Sequence, residues 1–133
     1  MLNRFTVKDI GRLKHDVQKI PLVTAYDYTT SLLMDRAGIP IILVGDSLGM
    51  VVLGFDCTIP VTMDEMINHC EAVSRGAHNA FLIGDMPYMS YQPSNQVAIE
   101  NAGRFIVSGM DCVKVEGAMI ERVKAICDSG IMV

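Results

Sequence analysis

Runs of lysine or arginine are absent from this chain of 133 residues, in which 15 acidic side chains outnumber 11 basic ones and leave a formal net charge of −4. Binding a polyanion draws on clustered positive charge, so nucleic acid is excluded as a partner and an anionic membrane surface is equally unattractive. Long apolar runs are missing too. The longest, residues 39–44 and 50–53, fall far short of the ~20 residues that cross a bilayer. Arg4, Lys8 and Asp9 interrupt the N-terminal region where a secretion signal would carry its apolar stretch. These absences lead to the expectation of a cytoplasmic protein whose partners are small molecules.

Cysteine is sparse and unpatterned. Cys57, Cys70, Cys112 and Cys127 form no Cys-x-x-Cys pair and have no histidine at zinc-finger spacing, so reduced and mostly buried thiols are expected. His69 adjoins Cys70, but neighbours on a helix point to different sides, which argues against a metal pair. Neither a repeat of fixed period nor a low-complexity linker divides the chain, and residues 1–133 read as one body.

What is present is ordinary globular composition, 50% hydrophobic and 20% charged, long enough for a real core. Apolar runs rich in Val, Ile and Leu alternate with longer amphipathic segments. An opening helix follows Thr6, whose hydroxyl suits an N-cap. "PLVTAYD" reads as a first strand and "TTSLLMDRAG" as a helix stopped by Gly38. "IPIILVGD" is a second strand, and a loop carrying Gly49, Gly54 and Pro60 follows it. In "VTMDEMINHCEAVSRG" Thr62 caps a helix on which Met63, Met66, Ile67, Cys70, Val73 and Ser74 share one face. "NAFLIGDMP" is a third strand, "PSNQVAIENAGRFIVSG" a helix ended by Gly109, and "MDCVKVEG" a fourth strand. "AMIERVKAICDSG" is a further helix and "IMV" the start of a fifth strand. The 10 methionines, scattered rather than striped, are core filler. This repetition predicts an α/β fold with a parallel sheet and right-handed crossovers, the opening of either a doubly wound sheet or a (β/α)8 barrel.

Three of these strands end alike. Asp46 closes the second, Asp85 the third and Glu116 the fourth, each after an apolar run and before a turn. Ligand sites of parallel α/β folds lie at the carboxyl ends of the strands, so the three acids are brought to one place. Unpaired they repel; a cation between them makes the arrangement tolerable, and all-oxygen ligation favours a hard ion such as Mg2+. Lys114 lies two positions before Glu116 and shares its strand face by period-two alternation. Turn and cap chemistry explains any one strand-terminal aspartate. It does not explain three in succession with a lysine. Asp27, after the first strand, is open between a fourth member of this group and the N-cap of the following helix.

Gly45-Asp46-Ser47-Leu48 also spells the signature of an esterase family whose serine is the nucleophile. That chemistry needs a histidine base, normally held in a late Asp-x-x-His motif, and none of His15, His69 or His78 has an aspartate three residues before it. Asp46 is therefore the metal-site residue, and Ser47 a neighbouring hydroxyl or backbone amide donor.

At these residues the chain resembles the ketopantoate hydroxymethyltransferase family. The matching segments are "TAYDYTTSLLMDRAGI", "ILVGDSLGMVVLGFDCTIPVTMDEMINHCEAVSRGA", "LIGDMPYMSY" and "VKVEG", in the family's order from Val23 to Gly117. The resemblance implies a (β/α)8 TIM barrel of the phosphoenolpyruvate mutase and isocitrate lyase superfamily. It also implies Mg2+, and 5,10-methylenetetrahydrofolate as one-carbon cosubstrate for 3-methyl-2-oxobutanoate in pantothenate biosynthesis. By the same resemblance Asp46 and Asp85 bind the metal and meet the substrate, Glu116 completes the carboxylate set, and Ser47 and Lys114 hold the substrate carboxylate. A complete barrel takes roughly 250 residues. Residues 1–133 are therefore expected to supply its first four βα units and the start of strand five, with the family's general base, a glutamate, beyond Val133. The open sheet edges of such a half lead to the expectation that it either aggregates or pairs with a second copy as a homo-oligomer, and without the base no turnover is expected from it alone. A lyase-type member of the superfamily and a catalytically inactive fragment are the competing readings; "GDSLGM" and "TIPVTMDEM" favour the transferase.

The esterase and metal-site readings part at Ser47. A fluorophosphonate probe is expected to leave Ser47 unlabelled, and Ser47→Ala to weaken substrate binding modestly without abolishing metal binding. Stoichiometric labelling at Ser47 would restore it as a nucleophile.

Overall fold

A computed structural model describes residues 4–133. Four parallel strands, β1 (Leu22–Thr24), β2 (Ile41–Val44), β3 (Phe81–Asp85) and β4 (Cys112–Lys114), lie side by side in chain order. Helix α1 (Val7–His15) precedes them, and α2 (Tyr28–Arg36), α4 (Met63–Gly76), α5 (Asn95–Val107) and α6 (Ile120–Asp128) follow β1, β2, β3 and β4 in turn. A short helix, α3 (Leu48–Val51), precedes α4. With every neighbour parallel, all carboxyl ends of the strands fall at one end of the sheet.

Local chemistry explains where the helices start and stop. Thr6 and Thr62 form reciprocal capping boxes with Asp9 and Glu65, and Ser94 caps α5. Asp27 caps α2: its carboxylate accepts from the Thr30 backbone N–H at 2.8 Å and from the Thr30 hydroxyl at 2.7 Å. Those bonds, the backbone one foremost, hold its pKa below the usual aspartate range. This decides the alternative left open by the sequence in favour of the cap. Gly38 and Gly109 follow α2 and α5 with φ of 78° and 99°, the left-handed conformation that ends a helix cheaply only at glycine.

The two faces of the sheet differ. Ile42, Val44, Leu82 and Val113 point towards the helices and pack with Met66, Cys70, Val73, Ala98, Ala102 and Phe105. Gly84 belongs to this face, where a Cβ would stand 2.3 Å from the Phe105 ring. The opposite face carries Ile41, Phe81, Ile83 and Cys112, covered at its lower end by Phe5, Ile10 and Ile20. The remainder is an apolar trough of about 430 Å³ bordered by Leu22, Leu43, Val115 and Met132.

The structure departs from the sequence reading in three places. Residues 48–51 form a helical turn within the expected loop, because the carbonyls of Gly45, Asp46 and Ser47 accept from the amides of Leu48, Gly49 and Met50. Residues 131–133 do not form a strand; one bond, from Val113 N–H to the Met132 carbonyl at 3.0 Å, begins the expected pairing. Thiol burial is split: Cys70 and Cys112 are buried, whereas Cys57 and Cys127 are exposed, all four being free. Burial pushes the Cys70 thiol up to about 12 and the Cys112 thiol to about 11, so both stay protonated and inert at neutral pH. Among the described residues, no helix is long and apolar enough to cross a membrane.

Asp35 fastens α2 to the start of β3. It is 8% exposed and accepts from the backbone N–H groups of Asn79 and Ala80 and from the Asn79 side chain, each at 2.8 Å. Burial raises its pKa, but these bonds outweigh it and hold the carboxyl below its ordinary range. A depressed carboxyl contributes stability above its unfolded pKa and loses it as pH falls through the folded value. Asp35→Asn is expected to cost about 1–3 kcal/mol at neutral pH. In urea unfolding the two proteins should converge below the ordinary aspartate value of about 3.9. A gap that persisted undiminished into strong acid would show that the carboxylate charge is not its source.

Candidate active site

At the carboxyl ends of the strands a cavity of about 250 Å³ is lined by Asp46, Asp85, Lys114 and Glu116, with Thr58, Ile59, Met86, Tyr88, Tyr91 and Gln92 around them. Asp85 is the last residue of β3, while Asp46 and Glu116 stand just beyond β2 and β4. The β3–β4 register pairs Asp85 with Lys114, as it pairs Ile83 with Cys112, so both ionic side chains continue the inner face of the sheet.

Lys114 Nζ donates to Asp85 Oδ1 at 2.8 Å and to Glu116 Oε2 at 2.9 Å. Asp85 Oδ2 accepts the Asp46 backbone N–H at 3.3 Å. The three ionic side chains are unequally wet: Asp85 is 7% exposed, Lys114 39% and Glu116 82%. Burial pushes the Asp85 carboxyl above its usual range, against the opposing pull of Lys114, and the nearby Asp46 charge adds to the rise. Burial also opposes the Lys114 charge, but its bonds to Asp85 and Glu116 more than compensate and hold the ammonium above the ordinary lysine range. Lys114 in turn holds the exposed Glu116 carboxyl below its usual range. The 2.8 Å contact between Lys114 and Asp85 thus carries its desolvation penalty on the buried Asp85.

The expected trio of acids is divided by this lysine. Asp46 and Asp85 adjoin, and Glu116 stands across Lys114. Among the described residues no cluster of three or more His, Cys, Asp or Glu side chains is placed to hold a metal ion by itself. Two carboxylates on one cavity are still the donor set that Mg2+ takes, since it commonly completes its octahedron with water or substrate oxygens. Asp85, destabilised by burial, is the group that gains most from a nearby cation. The residues present fit the ion on the side of Asp46 and Asp85.

Ser47 approaches from the Gly45 side. A Cβ on Gly45 would stand 3.0 Å from Ser47 Oγ and 3.9 Å from Asp85 Oδ2, so this glycine leaves room for both groups. The Ser47 hydroxyl shares a 2.8 Å hydrogen bond with the Tyr26 hydroxyl. Its partner is a phenol and not an imidazole. His69 is occupied elsewhere, its Nδ1–H donating to the Tyr26 carbonyl at 2.6 Å. Sequence reasoning gave Tyr26 no role. The available signal was register: with Thr24 level with Leu43, Tyr26 falls level with Gly45, beside Ser47.

The family model described as ketopantoate hydroxymethyltransferase matches residues 4–133. A 3-methyl-2-oxobutanoate hydroxymethyltransferase of Dehalococcoides mccartyi (strain CBDB1) is 51% identical over 133 residues, covering 98% of this chain and 48% of that protein. The enzyme of the same name from Nitrosopumilus maritimus (strain SCM1) is 52% identical over 130 residues, covering 96% and 47%. This chain thus spans about half the length of the curated relatives it matches. Among solved structures, a phosphonopyruvate hydrolase complexed with oxalate and Mg2+ superposes with a TM-score of 0.71 at 13% identity, covering 89% of this chain and 46% of that one. A 2,3-dimethylmalate lyase of the PEP mutase/isocitrate lyase superfamily gives 0.68 at 15% identity, covering 92% and 47%. The shared fold is that of the superfamily's barrel enzymes, of which these residues form the first four βα units.

Removal of the lysine isolates the cost of burying Asp85. Breaking a buried pair costs about 3–5 kcal/mol, and water around the half-exposed ammonium reduces this to about 1–2 kcal/mol for Lys114→Met. The Asp85 pKa, already raised, rises further without its partner. A raised carboxyl contributes stability below its unfolded pKa and loses it as pH rises through the folded value. The deficit of Lys114→Met relative to wild type should therefore be small in acid and grow as pH rises past the ordinary aspartate range, in unfolding titrations over that interval. A deficit independent of pH would assign the effect to packing of the lysine stem.

Proposed function

Because the chain belongs to the ketopantoate hydroxymethyltransferase family, we propose that its ionic cluster serves the transfer of a hydroxymethyl group from 5,10-methylenetetrahydrofolate to 3-methyl-2-oxobutanoate, forming 2-dehydropantoate for pantothenate synthesis. The observation that carries this reading is the meeting of Asp46, Asp85, Lys114 and Glu116 on one cavity at the carboxyl ends of successive parallel strands. It is supported by identity of about half the residues to proteins of that name. The far lower identity of 13–15% to the solved hydrolase and lyase favours transfer over cleavage.

Asp46 and Asp85 would hold Mg2+, with Glu116 completing the carboxylate set across Lys114. Bound there, the ion supplies a Lewis acid for the carbonyl oxygen of the 2-oxo acid and lowers the cost of removing its C3 proton. Lys114, kept charged by two acids, offers its ammonium to the substrate carboxylate. Ser47, with one hydrogen-bonding position taken by Tyr26, would offer another to the same carboxylate. Ile59, Met86 and Tyr88 on the cavity wall give the branched alkyl group an apolar surface. No proton acceptor for C3 is assigned to residues 4–133. The reading extends to a cytoplasmic homo-oligomer.

Calorimetric titration with Mg2+ tests the metal assignment. Losing even an outer-shell partner commonly costs 10–100-fold in metal affinity, so Asp46→Asn and Asp85→Asn should each weaken binding by at least about tenfold. Undiminished affinity in both variants would defeat it. Formation of 2-dehydropantoate from isotopically labelled 3-methyl-2-oxobutanoate reads transfer directly, and cleavage of the 2-oxo acid in its place would favour the lyase reading.

A further inference from the structure

Glu116 raises a problem of placement. Its long side chain is 82% exposed, and β4 has already ended at Lys114. The last bond between the ends of β3 and β4 runs from Met86 N–H to the Lys114 carbonyl at 2.9 Å. Beyond it the chain turns into the loop before α6, yet the Glu116 carboxylate still meets the Lys114 ammonium at 2.9 Å.

Tyr91 stands where a neighbouring strand would. Its hydroxyl accepts from the Glu116 N–H at 3.0 Å and donates to the Glu116 carbonyl at 3.0 Å. A phenol has one proton to give and lone pairs to receive, so a single atom satisfies both backbone groups of one residue. The tyrosine is itself immobilised. It is 2% exposed, and from its other side Arg122 of α6 donates Nε to the Tyr91 carbonyl at 3.1 Å and a terminal nitrogen to the Gln92 carbonyl at 3.4 Å. A second terminal nitrogen of Arg122 bonds the Asn95 side chain at the start of α5. The loop after β3 and the loop after β4 are thereby tied together through one buried ring.

We infer that Tyr91 is a positioning residue, whose hydroxyl fixes the backbone of Glu116 so that its carboxylate is presented to Lys114, and through that ammonium acts on the cation site beyond it. An exposed glutamate spreads over many rotamers, and burial does nothing here to select one. Fixing its φ and ψ narrows where the carboxylate can go, leaving the side-chain torsions for Lys114 to set. Phenylalanine at position 91 would fill the same volume and keep the ring contacts while pairing with neither backbone group. The inference rests on the Mg2+ reading proposed above.

A double-mutant cycle tests it, with Mg2+ alone as titrant and calorimetry as readout. Tyr91→Phe should weaken Mg2+ binding about fivefold, the equivalent of one hydrogen bond. In a Glu116→Gln background the same change should alter affinity less than about twofold, because the group through which Tyr91 acts is gone. Equal losses in both backgrounds, or a lowered melting temperature with affinity unchanged, would make Tyr91 merely structural and overturn the inference. Asp46→Asn separates the two failures. If it and Asp85→Asn both leave Mg2+ affinity intact, the metal reading falls and the inference with it; if either weakens binding while the cycle shows no coupling, the positioning role alone falls. Hydrogen exchange on the unaltered chain gives a check free of variants: the Glu116 amide should exchange slowly, like a ladder amide, and rapid exchange there would contradict the clamp.

Discussion

The ion pair between Asp85 and Lys114 is the constraint on which the arrangement turns. It exists because β3 and β4 are aligned so that these residues are direct partners. A slip of one residue in β4 would turn Lys114 into the helix-facing layer, beside Leu82 and Phe105, and turn Val113 out of it. Register is defended on that other face by bulk: Gly84 admits the Phe105 ring, and any larger residue there would push α5 off the sheet. The apolar side of the sheet thus sets the register, and the register delivers the charges. Asp85 gains an ammonium, Lys114 a second acid, and Asp46 is drawn in by its own backbone bond to Asp85.

Much of this was legible before any coordinates. Alternation of β-branched runs with amphipathic segments gave the parallel order, and Thr6, Thr62, Gly38 and Gly109 marked helix ends by chemistry that acts within a few residues. Period two placed Lys114 on the side of Glu116. What escaped was of two kinds. The turn at residues 48–51, Leu-Gly-Met-Val, carries a glycine and a β-branched valine among its four residues and is too short for a periodic signal, and local carbonyls make it helical. The second kind needs two segments in known register: the Tyr26–Ser47 hydroxyl pair, and the position of the lysine between the acids where a cluster of three carboxylates was expected. Asp27 shows the limit from the other side, since a strand-terminal aspartate followed by Tyr-Thr-Thr is equally a ligand and a cap until Thr30 is seen bonded to it.

The cavity wall is built by loops and the charged groups by strands, and the two are stabilised differently. Asp85 and Lys114 inherit the rigidity of a paired ladder. Ile59, Tyr88 and Gln92 come from connections, which carry most of the variation in chemistry that a barrel scaffold permits. Fold likeness to a hydrolase and a lyase at 13–15% identity is compatible with such a division, since a shared fold does not carry a shared site.

Along the inner face of β3 and β4 the character of the surface changes within two residues, from Ile83 beside Cys112 to Asp85 beside Lys114, a rise of about 7 Å. Mobile ions in the surrounding solution reach the cluster at the carboxyl end, while the trough beneath it is walled mostly by hydrocarbon. Lys114 is consequently gripped by two acids that ionic strength treats unequally. Its bond to Glu116, 82% exposed, lies open to screening, whereas its bond to Asp85, 7% exposed, is shielded from counterions by the protein itself. Added salt would loosen one hold on the same ammonium and leave the other nearly untouched.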